Sequence, residues 1–416
     1  MIISFCILLI AYSLIVIEKP PKVAIAMLGA ALTLVFGLIP PKNVFHHVDF
    51  GVIFLLVSMM IIVHIADRSG VFRWLSIEML KLTGGQPKII FLALCLFTAV
   101  LSAFLDNVTT VILVIPITFI ISKELKIDPV PLFIAEIIAS NIGGTATLIG
   151  DPPNIIIGSA ANLSFMDFAR ELTPVITVIF IVCTLVLLHL FRKDLVSTPE
   201  LMAEIKTLDN SNSIKDRPLM IRSVSVLLLV IAGFILHDLI HVEAYKIAFL
   251  GASVLLLFET PKQIIHEIEW TTIFFFIGLF IIIGGLVETG GIKFLADKMI
   301  QATHGNIHYA TMLVLWTSGF LSAIVDNIPY TATMVPLINQ LKTGMDVTPL
   351  WWSLSLGACL GGNATIIGAA ANIIIAETSN NAGHKISFLR FMKYGLLVTL
   401  ISLVISSIYL YFRFPA

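Results

Sequence analysis

Charge is scarce in this chain. Asp, Glu, Lys and Arg make up 12% of its 416 residues, about half the share of a soluble globular domain. Neither sign dominates: the formal net charge is −1, which excludes a nucleic-acid partner bound through a basic surface. Cysteine is scarce as well. Cys6, Cys95, Cys183 and Cys359 stand singly in apolar runs, and their spacing suits neither a disulfide nor a zinc site; they read as small buried hydrophobes. No basic region precedes the apolar start at Ile2 and no small-residue cleavage site follows it, so the start reads as a first span and not as a signal peptide. What the chain has in excess is hydrophobic sequence, 58% of the residues. That composition excludes a soluble domain and implies a multi-pass protein embedded in a lipid bilayer.

Apolar runs able to cross a hydrocarbon core occur at 2–17, 23–39, 51–66, 173–191, 220–236, 244–258, 270–286 and 392–412. Two further runs, 131–162 and 349–378, are broken by Gly and Asn. Two others, 88–122 and 307–341, carry Asp-Asn at their middle. An Asp exposed to lipid at mid-bilayer costs about 3 kcal/mol on the insertion scale. A re-entrant helical hairpin with Asp-Asn at its tip avoids that cost, provided its tip is buried in protein or lines a cavity.

The chain says nearly the same thing twice. L-S-A-F-L-D-N-V-T-T-V-I-L-V-I-P, from Leu101 to Pro116, returns as L-S-A-I-V-D-N-I-P-Y-T-A-T-M-V-P, from Leu321 to Pro336. G-G-T-A-T-L-I-G-D-P-P-N-I-I-I, from Gly143 to Ile157, returns as G-G-N-A-T-I-I-G-A-A-A-N-I-I-I, from Gly361 to Ile375. Repeated polar interruptions of apolar segments mark secondary transporters. The expected fold is an all-α polytopic membrane protein, an inverted repeat of 5+5 spans in which each half has one hairpin and one broken helix. The first repeat is 1–191 (hairpin 88–122, broken helix 131–162), the linker 192–219, and the second repeat 220–416 (hairpin 307–341, broken helix 349–378). Five crossings per half insert the halves in opposite senses.

With both termini outside, only Lys42, Arg170, Lys246, Lys293, Lys298, Lys342 and Arg413 fall outside. The other 18 of the 25 basic residues, Lys19 and Lys22 among them, fall inside with the linker, as the positive-inside rule requires. Amphipathic stretches at 68–83 and 288–304 are expected to lie along the interface.

The hairpin tips are Asp106-Asn107 with Thr109 and Thr110, and Asp326-Asn327 with Thr331; Ser102 and Ser322 precede them. Carboxylate, amide and hydroxyl oxygens suit a proton or a hard cation such as Na+ at Asp106, Asn107, Asp326 and Asn327. The N–H groups that open the returning helix suit an anion or oxyacid. Asp-Asn as a plain helix cap explains one copy better than two at equivalent positions. In the broken spans, Gly143, Gly144, Thr145 and Asn154 match Gly361, Gly362, Asn363 and Asn372, with Thr365 between them. Paired glycines are expected to release the helix so that carbonyls face a ligand, and Pro152 and Pro153 restart it. Close helix packing is the other reading of these glycines.

The halves also differ. Asp151 is matched by Ala369, Glu136 by Leu354 and His64 by Gly284. Asp106, Asp326, Glu136 and Asp151 are therefore the coupling candidates. Pairing of Glu136 with Lys126 or Lys123, and an interfacial place for His64, are the alternatives.

At these motifs the chain resembles the ion transporter superfamily of arsenite permeases, the P protein, D-type sodium/proton antiporters and the dicarboxylate and citrate carriers. The likeness spans both repeats and is strongest to the arsenite-permease and P-protein branch. It implies two opposed hairpins and two unwound helices around a midplane site, an elevator motion and a homodimer. It carries over to Asp106, Asn107, Asp326 and Asn327 at the tips, and to Gly143–Asn154 and Gly361–Asn372 in the loops. The dicarboxylate carriers have Ser-Asn-Thr at both tips. Asp in place of Ser puts negative charge where those carriers hold carboxylates, which argues against a di- or tricarboxylate.

The expected function is secondary active transport of a small inorganic ion or oxyacid across the plasma membrane, of the arsenite or antimonite efflux type. A sodium/proton antiporter, an anion channel and a dicarboxylate carrier are the alternatives, and H+ or Na+ is the coupling ion. No catalysis, cofactor or resident metal is expected. An intramembrane aspartyl protease would need Tyr-Asp and Gly-x-Gly-Asp contexts, whereas this chain has Leu105-Asp106 and Val325-Asp326.

Overall fold

The computed structural model describes residues 1–17, 20–206, 209–236, 241–342 and 346–415; Lys19 and residues 207–208 of the expected linker lie outside them. The described residues form helices and no strand. The first half runs α1 (Ile2–Ile17), α2 (Lys22–Val35), α3 (Phe50–Arg68), α4 (Val71–Leu82), α5 (Pro87–Phe104), α6 (Asn107–Leu125), α7 (Val130–Thr145), α8 (Pro152–Ala161), α9 (Phe165–Glu171) and α10 (Thr173–Phe191). After the short α11 (Pro199–Lys206) come α12 (Arg217–Ile235), α13 (Ala244–Leu256), α14 (Pro261–Glu267), α15 (Trp270–Glu288) and α16 (Gly291–Thr303). Then follow α17 (Ile307–Ser322), α18 (Asn327–Leu341), α19 (Thr348–Gly361), α20 (Ala370–Asn381) and α21 (Phe388–Arg413).

Among the described residues seven helices are long and apolar enough to cross a membrane: α3, α5, α6, α10, α12, α15 and α21. The apolar helices α1, α2, α7 and α13 are shorter. The ten expected crossings therefore do not map one to one onto the long helices, and both arms of the first expected hairpin are themselves long enough to cross. Leu9, Leu28, Leu96, Ile181, Leu229, Leu250 and Phe412 are more than half exposed, as side chains turned towards lipid are.

The helices pack in two groups. In one, α2 lies along α15 and α3 along α13, with α1 and α12 beside them. In the other, α5 packs on α7 and α17 on α19, flanked by α10 and α21. The two halves interlock there: α8 of the first packs on α18 of the second, and α20 of the second on α6 of the first. Tyr12 of α1 bridges the groups, its hydroxyl donating to the Pro329 carbonyl at 2.6 Å.

Local chemistry fixes the ends that matter. Leu105 and Asp106 break the chain between α5 and α6, and Asp106 caps α6. Gly70 and Gly290, both with positive φ, precede the amphipathic α4 and α16. A Cβ on Gly70 would meet the Ser213 carbonyl at 1.9 Å, so the segment after α11 packs directly on the turn before α4. The Lys215 amide donates to Ser69 O there at 2.9 Å, and Asn210 reaches Glu78 at 2.7 Å.

Candidate functional site

Both tip aspartates do cap a helix. Asp106 Oδ1 accepts from the Thr109 amide at 2.9 Å, and Asp326 Oδ1 accepts from the Ile328 amide at 3.2 Å. Capping uses one oxygen of each and leaves the other. Asp106 Oδ2 accepts from the Thr109 hydroxyl at 2.6 Å. Asp326 Oδ2 instead accepts from the Lys22 ammonium at 2.8 Å.

Asp151 behaves differently. It stands at the N-cap position of α8, yet its side chain makes no capping bond. Pro152 and Pro153 supply no N–H for it to cap. Its carboxylate turns to the two tips: Asn107 donates to Oδ1 at 3.4 Å, and Asn327 donates to Oδ1 and Oδ2 at 3.3 and 3.4 Å. Asn107 also reaches Asn141 at 3.4 Å, and Asn141 donates to Asn363 and Asn372 at 3.0 and 2.9 Å. A polar chain thus branches at Asn107 of the first tip, one arm reaching Asp151 and the other passing through Asn141 to the second unwound segment, all of it buried.

Asp106, Asn107, Asp151, Asp326 and Asn327 line one cavity of about 270 Å³. Its other wall is built from Lys22 and Val23 at the start of α2, Leu56 and Met60 of α3, and Glu269, Thr272 and Phe275 around the start of α15. Four carboxylates and one ammonium face this space. Burial pushes the Glu269 carboxyl above its ordinary range and the charge of Asp106 adds to that, while a hydrogen bond from Thr272, at 3.1 Å, opposes it.

The unwound segments are held shut by their own asparagines. Asn154 donates to the carbonyls of Thr145 and Thr147 at 3.1 and 2.8 Å. Asn372 does the same for Gly362 and Thr365, at 2.7 and 2.9 Å. Asn154 is oriented in turn by the Ser355 hydroxyl at 2.6 Å and the Cys359 thiol at 3.6 Å. Both asparagines face the loops, not the cavity. The first glycine pair is not where its helix stops, since Gly143 and Gly144 are still helical in α7, whereas α19 does end at Gly361, with Gly362 as its C-cap. A Cβ on Gly143 would meet Ala99 O at 2.2 Å, and one on Gly361 would meet Gly319 O at 2.5 Å. These glycines let α7 press on α5 and α19 on α17.

The remaining residues of the sequence-based set lie behind the cavity. Ser102 bonds to Ser140 at 3.1 Å and Ser322 to Ala358 O at 2.6 Å. Thr145 bonds back to Asn141 O at 2.7 Å, and Thr365 to Ala323 O at 2.6 Å. Thr110 Oγ1, Thr331 Oγ1 and Asn363 Nδ2 are buried with no hydrogen-bond partner among the described residues. Glu136 is buried away from the cavity and pairs with the Thr118 hydroxyl, not with Lys123 or Lys126.

Sequence reasoning missed Lys22 and Glu269 at the cavity wall and Asn141 in the polar chain. A signal for Glu269 was available: it matches Asp49 at the same 220-residue offset as the tips, and each precedes a long helix of its half.

Other proteins are similar to this chain over nearly all of its length. It is 41% identical over 423 residues to an uncharacterized transporter of Mycobacterium tuberculosis, covering 99% of this chain and 98% of that protein. It is 40% identical to a 46 kDa membrane protein of Mycobacterium leprae, over 99% of both. The P protein of Homo sapiens is 32% identical over 488 residues, covering 96% of this chain and 58% of that protein. Residues 12–357 match the citrate transporter family. With that match over most of its length and transporter relatives over nearly all of it, this chain is a multi-pass membrane protein that belongs to the citrate transporter family, within the ion transporter superfamily.

Proposed function

We propose that the chain is a secondary active transporter that moves a small inorganic species, an arsenite- or antimonite-type oxyacid or ion, by elevator-type alternating access. The observation that carries this reading is the convergence of both Asp-Asn tips and Asp151 on one small cavity. Amide donors and carboxylate acceptors there match the hydroxyl groups of a neutral oxyacid, which would replace the weak bonds of Asn107 and Asn327 to Asp151 with its own. Four carboxylates against one ammonium repel a di- or tricarboxylate. The two helix groups supply a wall and a moving body; the inverted 5+5 arrangement, with re-entrant hairpins, would let the tips approach from opposite faces of the plasma membrane. In this reading both termini face outside, the linker lies inside, and two copies pair as a homodimer.

Sodium/proton exchange is the second reading, favoured by the Lys22–Asp326 ion pair, since an ammonium beside a carboxylate marks a position a monovalent cation fits. The two readings separate in proteoliposomes of the purified chain carrying an internal pH dye. Arsenite flux driven by a proton gradient, with no response to sodium or lithium, supports the oxyacid reading. Alkalinisation by sodium or lithium without arsenite flux replaces it with the exchanger. Loss of either signal in Asp106→Asn ties it to the cavity.

A further inference from the structure

Two equivalent aspartates each cap a helix with Oδ1 but differ in what satisfies Oδ2, and the sequence explains why. Asp106 Oδ2 is satisfied inside its own helix by Thr109. The residue equivalent to Thr109 is Pro329, which has neither hydroxyl nor N–H. Asp326 Oδ2 is therefore left for a group from elsewhere, and Lys22 takes it at 2.8 Å; Asp326 is 2% exposed and Lys22 25%. Lys22 comes from the helix group that carries none of the binding motifs.

That wall has a counterpart. A second cavity, about 390 Å³, is lined by Asp49, which caps α3, by Val52 and Leu55 of α3, and by Glu243, Ala244 and Tyr245 at the start of α13. Asp49, Val52 and Leu55 match Glu269, Thr272 and Phe275 of the first cavity at the 220-residue offset. Leu28-Gly29-Ala30 of α2 returns as Leu250-Gly251-Ala252 of α13, so Ala244 stands where Lys22 does. Lys246, the nearest lysine in sequence, is paired with Glu243 at 2.5 Å. Two equivalent walls are thus present, one offering a cation to the tips and one lined by Asp49 and Glu243. Breaking a buried ion pair leaves an uncompensated charge, so Asp326 cannot leave Lys22 cheaply without a substitute.

We propose that Lys22 is a tethered counter-cation of the binding site, holding Asp326 at the α2–α15 wall until a small inorganic cation displaces it and frees the site to move to the α3–α13 wall. This rests on the transporter reading with a small inorganic cation as the coupling ion, and it makes Lys22 a coupling residue and not a structural strut.

The test is the melting temperature of the purified full chain titrated with sodium or lithium chloride against choline chloride at constant ionic strength. Removing the tethered competitor in Lys22→Gln lowers the half-saturating cation concentration by about tenfold or more, whereas Lys22→Arg stays near wild type. Equal half-saturation in wild type and Lys22→Gln, or no cation response in either, overturns the proposal. Should Lys22→Gln unfold on purification, the proposal requires that sodium or lithium restore its fold. A variant rescued only by the second change Asp326→Asn, and not by cations, shows a structural ion pair alone and overturns it. Failure of the transport reading shows separately, as absent flux of arsenite and of sodium in wild-type proteoliposomes.

Discussion

The amide of Asn327 donates to the carboxylate of Asp151 at 3.3 Å, joining residues 176 positions apart. Asn107, which matches Asn327 in the first half, donates to the same oxygen at 3.4 Å. One carboxylate therefore serves two repeated amides, and the second half has only Ala369 at the matching position. A strictly symmetric site would hold two such carboxylates at one small cavity, where like charges repel. Loss of one copy leaves a single acceptor on which both tips converge. The bonds are long, so a bound species that offers shorter ones has a free-energy gain on entering.

Substituting any of the three cavity aspartates is expected to damage transport without unfolding the chain. Asp106→Asn, Asp326→Asn and Asp151→Asn each remove a charged acceptor worth roughly 1.5–3 kcal/mol, enough for about a tenfold loss or more of flux. Asp151→Asn is also expected to change the pH dependence of flux, while Glu136→Gln, whose residue lies away from the cavity with Thr118 as its partner, leaves it as in wild type. Flux in proteoliposomes from pH 5 to 8 checks this, with gel-filtration profiles as the fold control. Normal flux in either tip variant would remove the two-tip site.

Asn154→Ala and Asn372→Ala are expected to act on stability first. Each frees two buried carbonyls of an unwound segment, at about 1–3 kcal/mol for each group left unsatisfied. Melting curves of the detergent-solubilised chain should fall well below wild type for both. The Asp151→Asn curve should stay close to wild type, since Asn keeps one oxygen for the tip amides.

What the sequence made legible and what it hid follow from distance along the chain. The tips and the unwound segments were readable because each repeats, and because Asp and Asn inside apolar runs have few structural uses. Lys22 was not, because no spacing rule connects residue 22 to residue 326; only the packing of α2 beside the second tip does. The glycines were half readable. Their presence announced close backbone contact or a helix break, and choosing between them needs Ala99 O and Gly319 O, the groups that a Cβ would strike. Asn154 and Asn372 read as ligands because their carbonyl partners are created only when the helices stop at Thr145 and Gly361.

Those glycine contacts give a sharp mutational outcome. In Gly143→Ala the added methyl would lie 2.2 Å from Ala99 O, with backbone and not a flexible side chain as the obstacle. Overpacking of this kind costs about 1–3 kcal/mol, and here α7 must move away from α5, carrying Asn141 with it. Both melting temperature and flux should fall. Gly290→Ala, with open space around it but a φ of +77°, should lower the melting temperature through backbone strain alone and spare flux.

Glu269 gives the chain a pH-dependent stability of predictable sign. Its carboxyl is pushed above the ordinary 4.5, first by burial and then by Asp106, against a smaller opposing bond from Thr272. A carboxyl raised in the folded state binds its proton more tightly there than in the unfolded chain. Its stabilising contribution is complete below the unfolded value and is lost as pH rises through the folded one. The window thus opens near pH 4.5 and extends upward from it. Glu269→Gln carries no ionisable group, so its melting temperature should exceed wild type at neutral pH, with the gap closing as pH falls towards 4.5. A gap that stays constant over that range would mean Glu269 is solvated at the cavity mouth and contributes nothing to the electrostatics of the site.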